Sequence, residues 1–389
     1  MAQLKVDESR EMDSASRRTF RKVSGQLDAL NASVGAGRKN LLDNGAHVIN
    51  QRVSQQTGVA SDSGQRTVDR WLPRNNALGT YTYRQVADGP AASGFVLCHE
   101  MLCTTADAAP AAGDFLIYQH GIEGFNLQHL LWGTSAAKPL TLSFWVKSNV
   151  AGYVGNVELQ NNGAATRGIL AQYKIAAANT WERKTMTFPG DAGQGLTNDS
   201  SGRLFLAFWL GSGSTFAGGT LQTAWGTLVA ANRAVGVTNL SATINNTIKF
   251  TGVQLEVGTK DTAFEFLDFQ TELARCQRYY EKSYNYDHAL GTPTTTGAMT
   301  AFVVDTSITT RMTPTNGSFT VTKRGIPTVA FYALDGTVGS LTLYNGATKV
   351  TAATNSPSDR QVEGAYLSMG AGGVAGTFYL GHWTATADI

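Results

Sequence analysis

The residues best suited to chemistry in this sequence are three cysteines and six histidines. Cys98 and His99, followed by Cys103, suggest a metal site, because thiolates and imidazoles are ligands that zinc prefers. In a β-strand, however, an odd offset places two side chains on opposite faces, which separates the thiols. The sequence has no second ligand pair and an odd number of cysteines. We therefore interpret these cysteines as buried core thiols and predict no metal, no cofactor and no disulfide framework.

His120 and His129 lie on either side of Glu123 and could form an acid/base cluster. Loop histidines without a recognisable orienting partner are usually polar surface residues, and we favour that interpretation. The chain lacks a G-x-S-x-G elbow, an H-E-x-x-H helix and a P-loop, so we predict that it is not an enzyme. A glycan hydrolase stays open as an alternative, because its two carboxylates can come from distant segments.

Three aromatic residues, Trp145, Phe205 and Trp209, have the wrong parity for the core of their strands. Leu140–Val146 and Leu204–Leu210 each alternate with apolar residues on one face, so these aromatics lie on the other face. Exposed aromatic rings need a cover, which sugar rings, a neighbouring subunit or the chain's own loops could supply. Glycan binding would require all three on one accessible face, whereas we favour burial between subunits.

The composition predicts a mainly β protein with two globular units and an attachment segment. Of 389 residues, 42 are glycine and only 15% are charged, which is typical of a turn-rich β protein. The net charge of +2 is too small to indicate binding to nucleic acid or to an anionic membrane. The N-terminus is polar and no apolar run is long enough to span a membrane, so we expect synthesis and folding in a cytoplasm and no membrane insertion.

The N-terminal segment, residues 1–39, predicts a short helix for attachment and oligomerisation. Its apolar residues recur at spacings of 3 and 4, as in a two-heptad coiled-coil seam: Phe20, Val23, Leu27, Leu30 and Val34. So short a seam needs a partner helix, and a homotrimer is the expected assembly. An amphipathic helix lying on its own domain is the alternative.

Residues 40–267 read as one all-β sandwich, with short apolar or alternating runs separated by turn residues. In the last run the core parity shifts at Gly252, which predicts a β-bulge at Thr251-Gly252. Residues 268–284 predict a connector helix, with apolar residues at helical spacing from Phe269 to Tyr284. Residues 285–389 return to strand patterns, including GSFTVTKRG, with turns at Asp335-Gly336 and Asn345-Gly346; they predict a second small antiparallel β-sandwich.

Five motifs, taken in order, resemble the jelly-roll domains of phage tail fibres and virion proteins that are similar to carbohydrate-binding modules. They are NLLDNG at 40–45, LSFWVKS at 142–148, TWE at 180–182, GVQLEVG at 252–258, and FEF at 264–266 leading into ELARCQRYYEK at 272–282. The resemblance covers residues 40 to 284 and implies a jelly roll, an oligomeric virion protein and glycan binding. Related carbohydrate-binding modules often hold a structural calcium near the terminal strands, which would involve Asn44 or Glu256 here, but this sequence lacks the clustered carboxylates of such a site.

These patterns together predict a structural subunit of a phage virion, a fibre or spike. The N-terminal segment would attach it to other virion proteins, and the β-sandwiches would be displayed for host-surface glycan binding. A fibre that decorates the head without a receptor role is the alternative within the same class. A binding module differs in needing exposed aromatics on one sheet face, and the hydrolase in needing nearby carboxylates in a cleft.

Overall fold

The computed structural model describes residues 38–389, except 63, 65, 303–310, 313–317, 345–348, 354–358, 364 and 369–376. The predicted seam, from Phe20 to Val34, lies outside the described residues, as does the predicted Asn345-Gly346 turn. Among the described residues, no helix has the length and apolar character needed to cross a membrane.

The described chain is mainly β, as the sequence predicts. Its strands, in chain order, are β1 Gln55–Ser61, β2 Leu72–Val86, β3 Cys98–Thr105, β4 Phe115–Glu123, β5 Leu140–Ser148, β6 Val154–Asn162, β7 Thr166–Lys174, β8 Glu182–Phe188, β9 Gly202–Ser212, β10 Gly226–Thr227, β11 Thr247–Val257, β12 Tyr280–Lys282, β13 Met299–Phe302, β14 Arg311–Met312, β15 Thr328–Tyr332, β16 Ser340–Tyr344, β17 Lys349–Ala353, β18 Asp359–Arg360, β19 Ala365–Ser368 and β20 Phe378–Thr386. The α-helices are α1 Ser214–Ala217 and α2 Phe269–Gln277, and the 3₁₀ turns are Ala91–Ser93, Gly124–Asn126, Gln128–Leu130, Ala230–Asn232 and Leu240–Ala242.

The first eleven strands form a curled antiparallel β-sandwich because β2 bends from one layer into the other. Residues 72–77 of β2 pair with β4, and residues 80–86 pair with β3. The bend contains Ala77 and Gly79, both with positive φ. The strand order of the first sheet is β10-β7-β6-β9-β4, followed by the first half of β2. The second sheet begins with the second half of β2 and continues as β3-β11-β5-β8. Strand β1 also pairs with β2.

A shared aromatic and aliphatic core joins the two sheets. Phe208 of the first sheet contacts Phe144 and Phe250 of the second, with ring centroids 5.0 Å and 4.6 Å apart. All three rings are fully buried. Cys98 and Cys103 are also buried, and both are free thiols. The predicted bulge is confirmed, since the β11–β5 register shifts after Thr251.

The connector differs from its sequence prediction. Helix α2 begins after Asp268, whose carboxylate accepts a hydrogen bond from the Thr271 N–H, and ends at Gln277 instead of continuing to Tyr284. Residues 280–282 form β12 and pair with residues 384–386 of β20. The helical spacing is real up to Cys276, but β-ladder pairing with a distant strand ends the helix early.

A second, smaller antiparallel sheet is built around β20. Strands β12 and β13 pair along one side of β20, and β15 and β16 along the other, with β17 beyond β16. The predicted strand GSFTVTKRG is wrong: apart from an isolated bridge residue at Ser318, its described residues form no strand. Hydrogen bonds to a side chain take the place of ladder pairing in this segment. The N–H of Thr320 and the ammonium of Lys323 both donate to the Glu281 carboxylate of β12.

Candidate functional site

Trp209 faces away from the core, as its parity predicts, but the chain itself covers it. Segment 213–237 lies over the outer face of the first sheet, where the Phe216 ring is 5.2 Å from the Trp209 ring. The Arg233 guanidinium lies 4.7 Å from the indole centroid and binds both oxygens of Glu158, which also accepts the indole N–H. Trp209 is only 1% exposed. Of the three covers considered, the chain's own loop is the one found.

Phe205 lies on the same outer face, nearer the edge where the chain ends. It pairs across β4 with Gly121, and Gly202 is close by in β9. The Phe205 ring and the Ile389 side chain fill the space beside both glycines, where a Cβ would come within 3 Å of each. Phe205 is partly buried as a result.

Trp145 lies on the outer face of the second sheet, so the structure does not bring Trp145, Phe205 and Trp209 together. Trp145 pairs with Thr251 of β11 and with Arg183 of β8, and it is partly exposed. The three predicted residues therefore do not form a common aromatic platform. Which strands become neighbours, and so which rings share a face, is decided by long-range pairing.

The ring that does share a face with Trp145 is Trp181, which the sequence prediction omits. Trp181 comes two residues before Arg183, and this even offset gives it the outer-face parity. It therefore lies diagonal to Trp145 and opposite Lys147, whose ammonium is 5.2 Å from the Trp181 ring centroid. Its indole N–H donates to the Asp88 carbonyl oxygen at 2.9 Å. Both tryptophans are partly exposed, so this pair, named here the tryptophan face, is an aromatic surface that solvent reaches.

Paired charges line the tryptophan face. The Asp88 carboxylate accepts from Lys147 at 2.8 Å and from Lys249 at 2.6 Å. Lys249 also contacts Glu100 at 2.8 Å, and Glu100 pairs with Arg84. Burial raises the pKa of Asp88, but the hydrogen bonds from the two lysines outweigh it and hold this pKa below its ordinary value. The Asp88 carboxylate therefore stays ionised at neutral pH.

A second aromatic cluster lies beside the bulge of β11. The Phe95 ring centroid is 5.0 Å from that of Phe264 and 5.0 Å from that of Phe266. The Phe95 ring also lies over Gly252. Phe95 is buried, whereas Phe266 is 56% exposed. The cluster fixes the segment after β11 against the second sheet.

The histidine and carboxylate near the end of β4 are not surface groups. His120 is 1% exposed, so its interpretation as a polar surface residue is wrong; its Nε2 accepts the Asp43 N–H. Burial holds the pKa of His120 well below its ordinary value. Glu123 is fully buried, and Arg278 donates to both of its oxygens at 2.7 Å. These groups join the β-sandwich to the connector, where they have structural partners.

The end of the chain completes this junction. Asp388 forms ion pairs with Arg52 and Arg66, each at 2.6 Å. Arg324 donates to the carbonyl oxygens of Ala387 and Asp388. Buried charges on both sides thus hold the second, smaller sheet against the β-sandwich.

The two positions considered for calcium are engaged within the protein. The Asn44 Oδ1 accepts the Ile49 N–H at 2.9 Å. Both Glu256 oxygens accept hydrogen bonds, from Gln254 and from Thr262. In the part of the chain that the structure describes, no three His, Cys, Asp or Glu side chains form a group able to hold a metal ion.

Comparisons with known proteins return only structural similarities, since no family model and no curated protein matches the chain. The enzymatically active domain of tailspike protein 4 of bacteriophage CBA120 matches with a TM-score of 0.29 and 12% identity, over 52% of this chain and 21% of that chain. A family 4 carbohydrate-binding module matches with a TM-score of 0.28 and 14% identity, over 56% and 99%. The family 11 carbohydrate-binding module of Clostridium thermocellum, in complex with a mixed-linked tetrasaccharide, matches with a TM-score of 0.26 and 11% identity. That match covers 54% of this chain and 99% of the module. The match thus spans about a fifth of the length of that tailspike domain.

Proposed function

We propose that this chain is a non-enzymatic structural subunit of a phage particle, and that its jelly roll binds glycans on the host surface. The observation that carries the glycan-binding role is the tryptophan face. Trp145 and Trp181 are diagonal neighbours on one sheet face and are both partly exposed. Flat indole rings offer apolar area to the C–H faces of sugars, and the charged groups beside them can hydrogen-bond to sugar hydroxyls.

The buried carboxylates support a structural role over a hydrolytic one. Retaining and inverting glycosidases need two carboxyl groups facing the same bond. Here Glu123 is bound by Arg278, and Asp43 by Arg38 and Arg70. Each of these ion pairs contributes to the packing of the jelly roll or its connector.

The domain junction supports a role in display. Arg278, Tyr279 and Tyr280 of the connector contact the jelly roll, through the Glu123 ion pair and through stacking with Arg70 and Arg52. A subunit that presents a receptor-binding surface must keep that surface at a fixed orientation. The buried junction does this for the jelly roll and the second, smaller sheet.

The test is binding of the labelled full-length protein to an array of bacterial-surface and plant polysaccharides. We expect wild type to bind at least one class of glycan, and Trp145→Ala and Trp181→Ala to weaken that binding by roughly tenfold or more, since each removes a stacking surface. Phe125→Ala is the matched control, because Phe125 is an exposed aromatic in a turn after β4 of the first sheet.

Circular dichroism of each variant separates lost binding from lost folding. Wild-type protein that binds no glycan would refute the glycan-binding role. Equal losses in the Phe125 variant would refute the assignment to the tryptophan face. Immunogold labelling of intact particles tests the virion role independently, and particles that lack the label would contradict it.

A further inference from the structure

Resting on the proposed function, we infer that the tryptophan face selects an uncharged glycan and that Asp88 accepts a hydrogen bond from one of its hydroxyl groups. The inference concerns the ligand class, and it comes from how the charges on this face are paired.

Each cation on the face already has a carboxylate partner. Lys147 and Lys249 share Asp88, Lys249 also contacts Glu100, and Arg84 binds Glu100. On the neighbouring strand, Arg183 pairs with Asp261. A glycan carboxylate or phosphate would therefore have to displace a protein carboxylate or lie beside it. Like charges at such separations repel, so an acidic sugar gains little here and an uncharged one loses nothing.

Asp88 retains capacity for another donor. Its side chain is 42% exposed, although both lysines bind it. A carboxylate offers about four lone-pair positions, and the two lysines direct their ammonium groups at it from the sheet side. Its remaining exposed lone pairs face solvent, where the hydroxyl of a sugar lying on Trp181 could donate to them.

Contacts within the protein hold the Trp181 ring in place before a ligand binds. Its indole N–H is bound to the Asp88 carbonyl, and the Lys147 ammonium lies over its ring. Ring orientation and acceptor position are therefore linked through residue 88. Less side-chain freedom is lost on binding as a result, which favours affinity.

The experiment uses matched glycans that differ by an acidic group: homogalacturonan against its methyl ester, and sialylated oligosaccharides against forms whose sialic acid carboxyl is methyl-esterified. They are added to the same array, and binding is measured at low and high salt. We expect wild type to prefer the uncharged member of each pair it recognises, with affinity changing by less than about twofold with salt. Asp88→Asn should lose roughly tenfold in affinity for the uncharged glycan and gain affinity for acidic ones, because Lys147 loses its carboxylate partner and becomes free to bind an anion, while Lys249 keeps Glu100.

The Phe125→Ala protein again serves as the control and should keep the wild-type preference. Preference for acidic glycans, or affinity that falls steeply with salt, overturns the inference while leaving glycan binding in place. An Asp88→Asn protein with unchanged affinity and preference overturns the role of Asp88. Absence of binding to every glycan refutes the proposed function together with the inference.

Discussion

Three histidines, His47, His99 and His120, are packed as neutral rings around two aromatic side chains. His47 and His120 contact Trp71 with centroids 5.1 Å and 5.0 Å away, and His99 stacks on Tyr118 at 4.8 Å. Burial lowers the pKa of His47 to about 3, against a smaller opposing effect of its hydrogen bond to the Phe250 carbonyl. Burial also lowers the pKa values of His99 and His120.

These buried rings predict that the protein loses stability in mild acid. Between the ordinary histidine pKa of about 6.5 and the lowered folded-state values, the unfolded chain binds more protons than the folded one, so the free energy of unfolding falls as pH falls. Each histidine contributes a slope of about 1.4 kcal/mol per pH unit well inside that window. Urea denaturation at several values between pH 7.5 and 4.5 measures the slope.

A histidine substitution makes this measurement specific. His99→Phe should reduce the slope by about 1.4 kcal/mol per pH unit, because one histidine fewer takes up a proton on unfolding. This holds even if the substitution changes the stability at pH 7.5. The control, His288→Gln, changes a surface-loop histidine bonded to Asp287 and should keep the full slope. Finding the same slope in the His99 variant and in wild type would mean that His99 takes up its proton without unfolding.

At the scale of elements, the bulge of β11 is the feature that the sequence predicts most directly. Gly252 has a φ of +58°, a left-handed conformation that other residues adopt at a cost, and a Cβ there would lie 2.7 Å from the Phe95 ring. The bulge lets Ile248 and Phe250 share the core with Val253 and Leu255 across the change of parity. Strand register and core filling therefore both depend on this glycine.

We expect Gly252→Ala to lower the free energy of unfolding by about 2–4 kcal/mol, from backbone strain and overpacking against Phe95. Chemical denaturation measures the change. Gly113→Ala is the control, because Gly113 has ordinary φ and open space around it, and it should change stability by less than about 0.5 kcal/mol. Similar losses in the two variants would show that the bulge conformation carries no special constraint.

At the scale of the whole molecule, the oligomeric state stays a prediction from the N-terminal seam. Light scattering of full-length protein should give the mass of a trimer, and deletion of residues 1–37 should give a smaller species. Leu27→Asp, which places a charge in the seam, should act like the deletion, since a desolvated charge costs several kcal/mol. Gln26→Asp is the control, because Gln26 lies outside the 3-4 spacing.

A monomeric full-length protein would contradict the trimer prediction. An unchanged mass after the deletion would place the subunit interface in the β domains instead. The low proportion of charged residues, 15% of the chain, is compatible with both arrangements. Light scattering on the Leu27 and Gln26 variants distinguishes a seam contact from a general effect of added charge.

The sequence alone determines the features that depend on local alternation. The parity of β5, β9 and β11, the bulge at Thr251-Gly252 and the buried state of Cys98 and Cys103 all follow from which side chains are apolar and how they are spaced. Burial on one face requires that spacing in any strand, whatever its neighbours. Strand β2 lacks this alternation, because its bend mixes polar residues with Ala77 and Gly79.

Only the tertiary structure decides which outward-facing rings remain accessible. Trp145 and Trp209 have the same outward parity, yet segment 213–237 covers Trp209, and Trp145 lies diagonal to Trp181 on an open face. Helix α2 likewise ends where β20 offers a ladder to residues 280–282. The strand partners of Trp145 and Tyr280 each lie 106 residues away along the chain, as the pairings Trp145–Thr251 and Tyr280–Thr386 show. Alternation within a strand carries no record of such distant partners.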